Sequence, residues 1–131
     1  MTINEWKIMK RFEDLLGAVL LNVENINNDE IVFTLAPNEK YRLYHYQDCC
    51  ESVYVDDITG NLNDLIGSPI LQAEEITQNE NPDEINIDKK SQDSFTWTFY
   101  KLATIKGYVT IRWYGASNGY YSESVQWEKI K

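Results

Sequence analysis

Residues 94–115 read "SFTWTFYKLATIKGYVTIRWYG". Two runs dense in aromatic and β-branched residues flank a short "IKG". Such runs suit a pleated, half-buried surface. A chain that carries them builds an antiparallel sheet around this hairpin, and the rest of the fold must cover one of its faces. A type I turn over Thr104–Gly107, with Gly107 supplying a positive φ, gives a three-residue loop with a bulge. That register puts Phe95, Trp97, Phe99, Val109, Ile111 and Trp113 on a shared core face. Tyr100, Tyr108, Arg112 and Tyr114 then share the opposite face.

Other segments extend the sheet. "AVLLNVEN" (18–25), "EIVFTLA" (30–36) and "KYRLYHY" (40–46) are separated by the turn residues "NND" and "PNE", and predict a three-stranded meander. "SVYVDDI" (52–58) predicts a fourth strand or its edge. "ILQAEEIT" (70–77) fits a strand or a helical turn, and "YYSESVQW" (120–127) returns as a last strand after "ASNG". "TGNLNDLIGSP" (59–69) holds a short helical turn ending at Gly67. Asp57, Thr59, Asn61 and Asn63 loosely echo a calcium loop, but Gly60 is misplaced and no bidentate Glu follows, so helix capping is the expected role.

At the N-terminus, Thr2 is a candidate N-cap with Glu5 three residues on, the spacing of a capping box. Trp6, Met9, Phe12 and Leu16 then recur at helical spacing up to Gly17. Residues 1–17 are expected to be a helix that packs this stripe on the core, with Lys7, Lys10 and Arg11 on its solvated side. "QNENPDEINIDKKSQD" (78–93) is polar and lacks aromatics, and is expected to be a flexible loop. The expected fold is one α+β domain over residues 1–131: an N-terminal helix packed on a mainly antiparallel, meandering sheet of about six or seven strands.

The charge narrows the function classes. With 21 acidic and 12 basic side chains the net charge is −9. A nucleic-acid binder needs a positive face to displace counterions, so direct nucleic-acid binding is disfavoured. An acidic excess serves solubility or the imitation of a polyanion. No run of about 18 apolar residues is present to span a membrane. The first 17 residues lack the apolar core of a signal peptide, which predicts a cytoplasmic protein.

"YHYQDCCESVYVDD" (44–57) contains the chain's one histidine and both cysteines. His45, Asp48, Cys49, Cys50 and Glu51 supply metal-ligand atoms. A structural zinc site wants two spaced pairs, however, and adjacent cysteines rarely hold one ion together. Adjacent cysteines also fit a reducing compartment better than a disulfide framework. A Cys–His nucleophile pair lacks a third orienting group. The expected state is a polar bend with one cysteine packed inside as a small hydrophobe, with Asp48 and Glu51 bonding backbone amides. This stretch is a secondary candidate site, with no metal and no cofactor expected.

The main candidate is the face with Tyr100, Tyr108, Arg112 and Tyr114. Arg42 and Tyr44 repeat the combination on another strand, and Asn118, Tyr120 and Tyr121 add a nearby loop. Rings can stack a base while Arg grips a phosphate bidentately. The same residue types are enriched at protein interfaces, which leaves a homo-oligomer open.

"YRLYHYQDCCESVYVDDI", "DLIGSPILQAEE", "SFTWTFYKLATIKGYVTIRWYG" and "SNGYYSESV" resemble a family of small phage- and prophage-encoded proteins of unassigned function, over about Leu15 to Val125. The resemblance transfers no catalytic residues. It implies a viral or prophage origin, a place in the cytoplasm of an infected bacterium and an accessory role, often against host defences. The expected function is a non-enzymatic anti-defence binding protein that sequesters a small anionic, nucleotide-type immune signal. The alternative is an acidic inhibitor of a host defence protein, acting as a nucleic-acid mimic. A small hydrolase using His45 and Cys50 is a lesser one.

Overall fold

The computed structural model describes residues 8–79 and 94–130. Eight strands run β1 (Asn22–Ile26), β2 (Glu30–Ala36), β3 (Glu39–Tyr44), β4 (Ser52–Thr59), β5 (Gln72–Gln78), β6 (Ser94–Thr104), β7 (Gly107–Ser117) and β8 (Gln126–Ile130). They form two antiparallel sheets, in the orders β1-β2-β3-β8 and β4-β7-β6-β5. One apolar cluster joins them: Val23, Ile31, Phe33 and Leu43 from the first sheet meet Val55, Tyr100, Leu102, Ile111 and Trp113 from the second. Two sheets sharing one core make a β-sandwich.

This overturns the expected helix-on-one-sheet fold. The described residues contain no α-helix. Of the expected N-terminal helix they hold a single 3-10 turn, Phe12–Leu15. Phe12 and Leu15 are buried in the core while Leu16 is exposed, so the apolar spacing marks a plug and not a stripe. Its Asp14 carboxylate accepts the backbone N–H groups of Lys10 and Arg11 at 2.9 and 3.1 Å, which caps the turn. Thr2, Glu5, Trp6 and Lys7 lie outside the described residues. So does most of the expected loop, since Gln78 ends β5 and Ser94 opens β6.

Turn chemistry fixes the first meander. Asn27 and Asn28 adopt positive φ (54° and 60°) between β1 and β2, a region asparagine tolerates. Asn25 Oδ1 accepts the Asn28 N–H at 3.1 Å. Asn61 caps a second 3-10 turn, Leu62–Leu65, by accepting the Asn63 N–H at 2.9 Å, so the capping role read from the sequence holds.

The long hairpin forms in a different register from the expected one. Thr104 pairs with Gly107, leaving a two-residue loop, and Gly107 has no positive φ. Its missing Cβ instead makes room for the Asp64 carboxylate, which would lie 2.9 Å from a Cβ there. Thr104 Oγ1 completes the loop by accepting the Lys106 N–H at 3.1 Å and donating to the Asp64 carbonyl. Shifting a strand by one residue moves its side chains to the other face. Val109, Ile111 and Trp113 point into the core as expected, but on β6 it is Tyr100 and Leu102 that join them, while Trp97 pairs with Tyr114 and Phe99 with Arg112 on the outer face.

The chain crosses between sheets twice. Residues 45–51 carry it from β3 to β4, and residues 118–125 return it from β7 to β8. The expected last strand starts later than 120 because Tyr120–Val125 belong to this second crossing.

Candidate functional site

The first crossing is organised around Glu51. Its side chain is 0% exposed and that of His45 3%. Glu51 Oε2 accepts His45 Nε2–H at 2.6 Å and the Asp48 N–H at 2.8 Å, while Oε1 accepts the Cys49 N–H at 3.0 Å. His45 Nδ1 faces the Ser124 carbonyl at 2.7 Å. The ring of His45 thus lies between two acceptors, the Glu51 carboxylate and the Ser124 carbonyl. Burial works against the charged Glu51, but the Asp48 and Cys49 amides and His45 outweigh it and hold the carboxyl at about 2.

These bonds tie the two crossings together. Tyr46 N–H adds a bond to Gln126 Oε1 at 2.8 Å, and Gln47 Nε2 closes the bend on the Glu51 carbonyl at 2.6 Å. His45 and Glu51 are spent on backbone and on each other, which leaves neither poised to activate a nucleophile. Cys49 and Cys50 are both at the surface, their sulfurs joined to one another. That corrects the expectation of a buried cysteine: the buried member of the bend is Glu51, because its carboxylate finds donors there. No group of three or more His, Cys, Asp and Glu among the described residues is arranged to hold a metal.

The Arg–Tyr candidates divide between opposite faces. Arg42 lies on the outer face of the first sheet, beside Val32 and Glu128 in register. Its Nε and NH2 donate to Glu128 Oε1 at 2.9 and 2.7 Å, its NH1 to Glu30 Oε2 at 3.1 Å, and its guanidinium sits 3.9 Å from the Tyr44 ring centre. Partial burial opposes this charge, but the bonds to Glu128 and Glu30 prevail and raise the Arg42 pKa.

Arg112 lies on the outer face of the second sheet. A β-bulge between Val55 and Asp57 leaves Asp56 out of the β4–β7 ladder. Asp56 Oδ2 accepts from Arg112 Nε at 2.9 Å and NH2 at 2.5 Å. The guanidinium is 5.2 Å from the Trp97 ring, and Tyr114 packs between Trp97 (4.6 Å) and Tyr54 (5.9 Å). Tyr108 is exposed on this face. Tyr100 is not on it: the ring is in the core and its hydroxyl donates to Glu75 Oε2 at 2.5 Å. Burial, then the Glu75 carboxylate, pushes its phenol pKa up. Asn118, Tyr120 and Tyr121 sit on the second crossing, where Asn118 Oδ1 accepts the Tyr120 N–H and the two rings meet edge to face at 5.0 Å. The nine residues thus form no single pocket.

The sequence reading missed a cleft of about 490 Å³ between the β5–β6 pair and the second crossing, lined by Glu75, Thr77, Thr96, Thr98, Tyr121 and Glu123 among others. Thr98 opposes Thr77 in register, and Tyr100 opposes Glu75. Gly115 lets the crossing settle on β7, since a Cβ there would lie 2.8 Å from the Glu123 carbonyl oxygen. Glu123 is anchored by Thr96 Oγ1 at 2.7 Å and Ser117 Oγ at 2.5 Å. The one sequence signal was the alternation of Thr96 and Thr98 with aromatics in "FTWTF", readable only once the register is known.

A family model described as "Domain of unknown function (DUF7448)" matches residues 12–127. No curated protein and no solved structure matches the chain.

Proposed function

The chain belongs to this family of unassigned function, and on that premise we propose that it is a non-enzymatic binding protein that engages a protein partner through its acidic surface. One observation carries the reading: the arginines that could grip an anion are already closed by carboxylates, Arg42 by Glu30 and Glu128, Arg112 by Asp56. A phosphate arriving at either would have to displace a charge-assisted pair already made. Among the described residues Glu24 and Glu74 form no such ion pair, although Glu74 lies opposite Lys101 in register; both project from the outer faces of the two sheets, and the net charge is −9. This favours a basic partner surface over a small anionic signal. The resemblance to phage-encoded proteins makes a bacterial host defence protein the expected partner, with the carboxylates standing in for a phosphate backbone.

The test is capture of host proteins on the immobilised chain, followed by competition with duplex DNA. A partner displaced by DNA, and lost when Glu24 and Glu74 are both changed to Lys, supports the reading. Stoichiometric binding of a nucleotide in native mass spectrometry, abolished by Arg112→Ala, would replace it with the anion-sequestering one.

A further inference from the structure

Six large apolar side chains crowd one end of the sandwich, the end that carries the β6–β7 turn. One quarter of the chain is charged, yet residues 15–23 and 65–73 contain no charged side chain. Backbone bonds set these two segments and the start of the turn side by side. The Gly17 N–H donates to the Ile70 carbonyl at 2.7 Å, the Ile70 N–H to Ala18 at 2.8 Å, and the Leu71 N–H to Ala103 at 2.7 Å. Leu20 and Ile70 are buried, while Leu16, Val19, Leu21, Leu71, Ile105 and Tyr108 are between 46% and 83% exposed. A large side chain presents roughly 150–200 Å² when fully solvated, so these six offer on the order of 600 Å². The largest apolar patch on a monomer is about 300–600 Å², and patches of this size mark a binding face.

Shape and charge say what fits there. Two grooves run across this end. One, of about 390 Å³, is lined by Leu16, Val19 and Leu35, and its charged members are Asp14 and Glu39. The other, of about 460 Å³, is lined by Leu71, Ile105 and Tyr108, and its one charged member is Lys106. The two grooves are thus apolar alike and opposite in sign. A two-fold contact makes every such pair twice, because residue i meets residue j and j meets i. Two patches laid together remove about 1,200 Å² from water, the size at which specific protein–protein interfaces begin.

We propose that this end is the contact between two copies of the chain. The turn of each copy, with Ile105 at its tip, seats in the Leu16–Val19 groove of the other, and Lys106 meets Asp14 and Glu39 across the contact. The outer faces of both sheets, with Glu24 and Glu74, stay open, so this pairing does not depend on the acidic-surface reading.

The experiment is sedimentation velocity of the full chain over a dilution series from about 1 to about 300 µM, the range in which an interface of this size associates. A reversible monomer–dimer equilibrium is expected. Ile105→Asp should weaken it about a hundredfold or more, since a two-fold contact holds the substituted residue twice, and Leu71→Ser about tenfold. Ile105→Ser should weaken it without adding a charge. Lys106→Glu should also weaken it, and Glu39→Lys added to Lys106→Glu should restore it. Tyr46→Asp, at an exposed ring on the first crossing, should change nothing. Thermal melts at dilutions where the parent is monomeric establish that each variant is folded. A chain that stays monomeric throughout, a dimer indifferent to the Ile105 and Leu71 variants, an equal loss in Tyr46→Asp, or a charge exchange that fails to restore pairing would each overturn the assignment. Flotation with phosphatidylcholine vesicles tests the rival occupant: binding of the monomer to vesicles, abolished by Ile105→Asp, would give this end to a lipid surface instead.

Discussion

Glu51 shows how much one side chain can hold. Its carboxyl titrates at about 2 in the folded chain, against an ordinary 4.5. A depressed folded value means stability that is complete above about 4.5, declines as the pH falls, and is gone below about 2. Glu51→Gln should therefore melt well below the parent at neutral pH, and the gap should close as both are acidified toward pH 2. A gap of equal width at pH 7 and pH 2 would mean that shape, and not charge, is what the site needs. Gly60 is a second sensitive position. Its φ is +96°, and a Cβ there would overlap the Tyr108 carbonyl oxygen. Gly60→Ala should cost about 2 kcal/mol or more in denaturant unfolding, from backbone strain and the displaced β7 together. Little of this was visible in the sequence. That Glu51 bonds the backbone amides of a bend could be read from residue type, but Asp48 enters the bend through its N–H and not its carboxylate, and the acceptor facing His45's other ring nitrogen is the Ser124 carbonyl, 79 residues away.

At the scale of elements, the local signals were readable and the pairings were not. β2 (30–36) falls where alternation and flanking turn residues put it, because both causes are local. The hairpin was found and the two faces of β7 were read correctly, but those of β6 were exchanged. "ATIKGY" permits a two-residue and a three-residue loop, and the choice rests on Thr104 and Gly107 meeting Asp64, from a distant turn. The cleft was illegible for the same reason, since its threonines look like solvent-facing positions until Tyr100 is known to point inward. β8 depends on one residue above the rest. Trp127 stacks on Tyr41 at 5.1 Å, meets Phe12 edge-on at 5.9 Å, and donates to the Met9 carbonyl at 2.8 Å. It thus binds the edge strand, the 3-10 plug and the core together. Trp127→Ala should lower stability by about 3–5 kcal/mol, read from chemical denaturation. A loss below about 1 kcal/mol would show that β8 is held by its backbone ladder alone.

For the whole molecule, the decisive fact is that the second sheet is one uninterrupted stretch of chain, β4 to β7, inserted between β3 and β8 of the first. Nothing in the sequence marks that nesting, because no residue type encodes which strand becomes a neighbour. A single meander was the economical expectation, and it fails where β3 takes β8 in place of β4. The nesting also imposes an order of events in time. β6 and β7 meet across a two-residue turn, whereas Arg42 of β3 must find Glu128 of β8 from 86 residues away. Closing so large a loop has an entropic cost that is met only after the intervening strands have condensed. β8 should then dock after the rate-limiting step. Stopped-flow measurements should find that Trp127 substitutions accelerate unfolding and leave refolding nearly unchanged, while substitutions at Ile111 or Leu102 slow refolding. In a cell the same order would leave the edge of β3 open for longest, so the interval before β8 arrives is when a nascent chain of this kind is most exposed to strand-to-strand aggregation.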